Sequence, residues 1–170
     1  VHNGKINWQE VKNSGIDFAI IRCGYGQDIE AQDDKMFEYN ISECERLGIP
    51  YGVYLYSYAL NTDNASSEAD HVLRLLKGRK PKHGIWIDIE DEEYYTNQGY
   101  PTNETLANIA ITFLEKIKSK GYNDVGIYAS LSWLEGKLND SRLDKYQKWV
   151  AQWAESCNYS KPYKMWQYTS

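Results

Sequence analysis

The alternation of short apolar runs with amphipathic helical stretches constrains this chain more than any other feature. FAIIRC (18–23), YGVYLYSY (51–58), GIWIDIE (84–90), VGIYAS (125–130), WVAQW (149–153) and KMWQY (164–168) read as strands. Between them the spacing predicts helices. One covers about residues 33–47, with Phe37, Ile41 and Cys44 on one face and Gly48 as its stop. A second covers about 65–77, with Ala69, Val72, Leu73 and Leu76 inward and Gly78 behind it. A third follows Pro101, capped by Thr102 or Asn103, with Leu106, Ile109, Ala110, Phe113 and Ile117 inward and Gly121 after it. A short helix is expected near 8–13 and a weaker one near 140–146. Strand–helix–strand repetition implies parallel strands joined by right-handed crossovers, hence an α/β sheet or barrel.

The strand faces favour the barrel. Tyr54, Tyr56 and Tyr58 share one face, as do Trp86, Asp88 and Glu90, and Trp149, Ala151 and Trp153, while the opposite faces are largely aliphatic. A doubly wound sheet, covered by helices on both sides, needs aliphatic residues on both. One polar, aromatic face per strand suggests an irregular TIM-like (β/α) barrel whose site opens at the strand C-termini. Little helix separates the last two strands, so the closing part is expected to be irregular. The 170 residues suit one domain, and no internal repeat, linker or low-complexity segment interrupts them.

Composition excludes several function classes. A net charge of −5 and the lack of a basic cluster beyond the short KGRKPKH (77–83) argue against nucleic-acid binding. No apolar run approaches the ~20 residues of a membrane span. No signal peptide is seen, although the chain starts without Met. Cys23, Cys44 and Cys157 are scattered and odd in number, with neither metal-ligand nor disulfide spacing, and Cys23 and Cys44 read as core residues. The 15 Tyr and 6 Trp against 3 Phe suit a wet, aromatic-lined groove, or simply a core. His71, on a polar helix stretch, and His83, in a turn, read as surface residues; His2, in HNGKINW, looks positioned for a site.

In GIWIDIE, Ile85, Ile87 and Ile89 alternate with Trp86, Asp88 and Glu90. Residues i and i+2 of a strand point the same way, about 6.5–7 Å apart, so Asp88 and Glu90 share one wall at the strand's C-terminal end. Two carboxylates in a partly dry cleft disfavour joint ionisation, so one keeps its proton to higher pH. Glycoside hydrolysis needs that combination: an acid for the leaving oxygen and a charged carboxylate beside the developing oxocarbenium. A hard cation held by the pair is the alternative, but no second acidic or His cluster has matching spacing. Asp91, Glu92 and Glu93 read as a solvated turn beyond the strand.

Six pieces, taken in order, resemble glycoside hydrolase family 25, the Chalaropsis-type lysozymes, which include many phage endolysins. They are HNGKINWQEVKNSGIDFAIIRCGYG (2–26), GIPYGVYLYSYA (48–59), WIDIED (86–91), GYNDVGIYAS (121–130), WVAQW (149–153) and MWQYTS (165–170). The resemblance spans essentially the whole chain. It implies a (β/α) barrel that cleaves the β-1,4 bond between N-acetylmuramic acid and N-acetylglucosamine in peptidoglycan. It places the family's D-x-E motif on Asp88 and Glu90, with Glu90 as general acid and Asp88 as its electrostatic partner. Neither a metal nor an organic cofactor is expected. Around the carboxylates, Tyr25, Tyr56, Tyr58, Trp153 and Gln167 are expected to contact sugar, with Asn3 at the rim. Arg22, on an inner face, is a further substrate-side candidate and is expected to pair with a lumen carboxylate.

The chain also departs from the family pattern. Members begin with a D-x-S strand just before the position of Val1, and continue past the WQYTS-like segment into a last strand carrying another acidic residue. The first and last strands of the barrel, with two acidic positions, thus have no counterpart in these 170 residues. Two expectations follow: an active lysozyme, made in the cytoplasm and acting on the cell wall, or a truncated, non-catalytic peptidoglycan-binding module. A chitinase-like barrel is disfavoured, because Trp86 stands where that family carries an additional Asp. The expected partners are peptidoglycan glycan strands, with no nucleic acid and no membrane; the sequence is silent on oligomeric state.

Overall fold

The computed structural model describes residues 4–169. Its strands are β1 (Ala19–Tyr25), β2 (Tyr51–Tyr56), β3 (Ile85–Asp88), β4 (Val125–Ser130), β5 (Gln147–Ala151) and β6 (Met165–Gln167). All five pairings are parallel, and the strand order is the chain order. Sequential parallel pairing sends every crossover over the same face, so the helices gather on one side and the sheet curls away from them. The result is a half-barrel with a helix-covered convex face and an open concave face.

The helices are α1 (Trp8–Asn13), α2 (Phe37–Leu47), α3 (Thr62–Leu76), α4 (Glu92–Asn97), α5 (Asn103–Ser119) and α6 (Leu131–Glu135). Several boundaries differ from the sequence expectation for local reasons. α2 starts at Phe37 rather than near residue 33, because Asp33 bridges back to Gly24 and the Asp34 carboxylate takes the Met36 N–H at 2.9 Å. α3 starts early, at Thr62, because the Asn61 side chain caps it through the Asn64 N–H at 2.9 Å. Thr102 caps α5, as one of the two expected residues. The weak helix expected near 140–146 is a single 3₁₀ turn, Ser141–Leu143. Residues 91–93 are solvated at Glu92 and Glu93 as expected, but as the start of a helix rather than a turn: Asp91 accepts the Tyr94 N–H at 2.9 Å and caps α4. β5 runs to β6 without an intervening helix, so the closing part is irregular as expected.

The convex side holds the core. Val53, Leu55, Ile85, Ile87, Ile127 and Val150 from the strands form one buried cluster with Ile41, Val72, Leu76, Ile109 and Phe113 from the helices. Full burial of each such side chain contributes about 1.5–3 kcal/mol. Cys23 and Cys44 are buried there as expected.

The concave side is built in rows. Register aligns Tyr25, Tyr56, Asp88, Tyr128 and Trp149 across five strands. An irregularity between Arg22 and Gly24 in β1 brings Tyr25 into that row. One row below, Arg22, Tyr54, Trp86 and Gly126 align. Gly126 is required there: a Cβ would lie 2.3 Å from the Trp86 ring. The Trp86 indole therefore lies flat in the floor, donates to the His83 carbonyl at 2.7 Å, and meets Trp149 edge-on.

Candidate active site

Asp88 is the last residue of β3 and Glu90 lies two residues on, in the loop leading to α4. The strand is thus shorter than the expected 84–90, yet the ladder continues: the Ile89 N–H donates to the Tyr128 carbonyl at 3.1 Å. That bond preserves the alternation, and both carboxyls line one cleft of about 850 Å³. Arg22, Tyr25, Tyr56 and Gln167 line the same cleft, together with Asp34, Tyr54, Tyr128 and Trp149.

The electrostatics favour proton retention. Asp88 is 4% exposed and its Oδ1 has no hydrogen-bond partner. Burial pushes its carboxyl well above the usual range; the neighbouring Glu90 charge adds to this and Arg22 opposes it. Glu90 is also raised, by burial first and the Asp91 charge second, while hydrogen bonding with Tyr128 pulls it back. Groups coupled this closely titrate as a pair. Burial pushes the Tyr54 phenol up to about 12, and Tyr56 and Tyr128 higher still. All three are neutral near pH 7 and able to donate. The Tyr128 hydroxyl donates to Gln167 Oε1 at 2.7 Å, which ties β6 to the carboxyl row.

Arg22 pairs with a carboxylate facing the cleft, as expected, but that carboxylate is Asp34, at 2.8 Å, from the loop after β1. The preceding Asp33 accepts from Arg74 at 2.7 and 2.9 Å and lies 2.8 Å from His71 Nε2. His71 is fully buried, contrary to the surface reading. Its helix face is turned toward β1, where Gly24 makes room for the imidazole and the Gly26 carbonyl takes Nδ1 at 3.0 Å. His83 sits in a turn as expected, half-buried and stacked on Phe18 at 4.3 Å.

Tyr58 does not line the cleft; it packs against two residues that do and itself lines an adjoining recess. Its ring contacts Tyr25 at 6.0 Å and Tyr56 at 5.3 Å on the cleft side, and Tyr94 at 4.6 Å on the other. Beyond it lies a second recess of about 580 Å³, lined by Gln32, Asn64, Asp91 and Tyr94 among others. Trp153 does not line the cleft; it lies past the end of β5, 68% exposed. Asn3 and His2 lie outside the described residues. Other polar and aromatic lining residues were not among the candidates. Tyr54, Tyr128 and Trp149 carry a usable signal, their inner-face alternation, whereas Asp34 comes from a loop with none. Among the described residues, no group of three or more His, Cys, Asp or Glu is arranged to hold a metal ion.

Such an arrangement, a proton-retaining carboxyl pair in an aromatic cleft, suits acid-assisted cleavage of a neutral polar substrate. The model for "Glycosyl hydrolases family 25" matches residues 1–170. Lysozyme M1 of Streptomyces globisporus is 27% identical over 159 residues, which cover 90% of this chain and 52% of that protein. The modular autolysin LytC of Streptococcus pneumoniae superposes with a TM-score of 0.87 at 34% identity, covering 99% of this chain and 41% of that one. LytC has also been solved in complex with a synthetic peptidoglycan ligand. A family 25 glycosyl hydrolase from Bacillus anthracis shares the fold, with a TM-score of 0.81 at 22% identity over 98% of this chain and 74% of that one. This chain thus spans about half the length of the lysozyme and less of the autolysin.

Proposed function

This chain belongs to glycosyl hydrolases family 25, and from that premise we propose that it is an N-acetylmuramidase. Its substrate is bacterial peptidoglycan, cut at the β-1,4 bond between N-acetylmuramic acid and N-acetylglucosamine, in the service of autolysis or phage lysis. The observation that carries this reading is the Asp88–Glu90 pair, Asp88 buried and Glu90 half-buried, at the C-terminal end of a central strand inside an aromatic cleft. The complex of the related LytC with a peptidoglycan ligand supports the substrate class.

The geometry divides the roles. Burial favours a proton on Asp88 more strongly than on Glu90, since Asp88 is the deeper of the two. A developing oxocarbenium reverses that preference, because positive charge nearby favours the ionised form of Asp88. The shared proton then belongs on Glu90, which donates it to the leaving glycosidic oxygen. Tyr56, neutral and beside Asp88 in its row, offers its hydroxyl to the sugar, and Tyr128, whose hydroxyl is given to Gln167, helps to keep the pair partly dry. No step in this scheme calls for a cofactor.

Glu90→Gln removes the transferable proton while keeping the shape. Lytic activity on Gram-positive walls is expected to fall at least about a hundredfold, with an unchanged circular dichroism spectrum. Near-normal lysis by the folded variant overturns the assignment.

A further inference from the structure

Glu68 is a fully buried carboxyl that the reaction just described does not use. It projects from α3 toward the turn that follows β2. Its Oε2 accepts the Ser57 hydroxyl at 2.7 Å and its Oε1 the Tyr58 backbone N–H at 2.8 Å. Ser57 Oγ in turn accepts the Ala59 N–H at 3.3 Å. The same turn is held from two other sides. The Ser57 N–H donates to the Asp88 carbonyl at 2.8 Å, and the Tyr94 hydroxyl to the Tyr58 carbonyl at 3.1 Å. Both backbone polar groups of Tyr58 are therefore bonded, and the residue before it is tied to the peptide of Asp88.

We propose that Glu68, as a carboxylate, is a positioning residue for the catalytic cleft: it fixes the 57–59 turn so that the Tyr58 ring buttresses Tyr25 and Tyr56, which line the cleft. The inference rests on the muramidase reading of that cleft. A carboxylate suits the place because two donors converge on it and it accepts with both oxygens. A glutamine turns an amide donor toward one of them.

The charge of this group changes near neutrality. Burial pushes Glu68 up to about 7, while the hydrogen bonds from Ser57, Tyr58 and Ala59 hold it down. The titratable groups around it do not mask the change. Tyr94 and Tyr95 face it from α4, both raised by burial and further by its charge, and so neutral near pH 7. α5 contributes apolar Ile109 and Phe113 to the shared core, and its Lys116 pairs with Asp70 outside the core. On α3 itself His71 is engaged with Gly26 and Asp33. The ionised form accepts both donors. Protonation sets a hydroxyl against one of them, so the turn is held above about pH 7 and loosens as pH falls.

Two readouts on the same chain test this. In amide NMR between pH 5 and 9, the Tyr58 N–H is expected to titrate near pH 7, and to stop doing so in Glu68→Gln. In turnover of soluble peptidoglycan, Glu68→Gln is expected to raise KM about fivefold and change kcat less than about twofold; its KM loses the pH dependence that the parent shows across the same range. Should Glu68→Gln not fold, Ser57→Ala removes a hydrogen bond that stabilises the carboxylate, so the Tyr58 midpoint is expected to move up. A Tyr58 amide that does not titrate, or titrates alike in both variants and the parent, overturns the clamp. An amide that titrates as expected while KM stays constant overturns the positioning role and leaves the muramidase reading intact. Absence of turnover by the parent chain overturns that reading and the positioning role with it.

Discussion

Replacing Asp88 with Asn is expected to make the protein more stable and less active, with the stability gain confined to higher pH. Asp88 is 4% exposed, its Oδ1 is unpartnered, and its carboxyl is raised well above the usual range by burial and by the Glu90 charge. Ionising a buried, unpartnered carboxyl costs more than the about 1–3 kcal/mol of a neutral unsatisfied group, and an Asn has no charge to form there. The Asn amide remains a buried polar group in need of partners, which returns most of that gain. The net gain is therefore about 1 kcal/mol, or about 2–4 °C in Tm for a chain of this size. The sign follows from a folded-state value raised above the unfolded one: the penalty is absent below the unfolded value of ~3.9 and grows as pH rises above it. Thermal unfolding followed by circular dichroism is expected to show the gain near pH 7.5 and none near pH 4, while turnover falls at least about a hundredfold. A variant no more stable than the parent at pH 7.5, or equally stabilised at both values, refutes the reasoning.

Two further substitutions test neighbouring parts of the site. Tyr128→Phe removes the hydrogen bonding that lowers Glu90, so Glu90 keeps its proton to higher pH. The alkaline limb of kcat is expected to move upward, and a downward shift or none counts against Glu90 as the acid. Gly126→Ala places a methyl group 2.3 Å from the Trp86 ring and 2.7 Å from the Gln147 carbonyl oxygen. This overpacking is expected to cost about 1–3 kcal/mol and about 2–12 °C in Tm, and an unchanged Tm shows that the Trp86 floor is not rigidly set.

The fold was legible because two periodicities coexist in the chain. Residues of period two placed all six strands, and their one-sided polarity distinguished a half-open barrel from a sheet covered on both faces. What escaped depends on contacts distant in sequence. His71 reads as polar surface until Gly24, 47 positions earlier in the chain, is seen to vacate the space for its ring. Asp34 reads as a helix-start residue, yet it meets Arg22 in the cleft because the loop after β1 folds back through Asp33. Trp153 shares its strand's parity with Trp149, but β5 ends at Ala151 and parity ceases to control direction beyond that point.

That last distinction also sorts the acidic run 88–93, whose five carboxylates, at 88 and 90–93, look alike in sequence. Asp88 is fixed by the ladder, and Glu90 keeps its orientation because the Ile89 N–H still bonds the neighbouring strand. Both are therefore held against the aromatic floor, and burial raises them. One residue later the chain has left the ladder. Asp91 is used as a helix cap, and Glu92 pairs with Lys137, whose hydrogen bond lowers its carboxyl. Acid character in this run is thus assigned by where the backbone stops hydrogen-bonding to β4. A change that ends the ladder one residue earlier would release Glu90 into solvent and lower its affinity for a proton, even with every carboxylate still present.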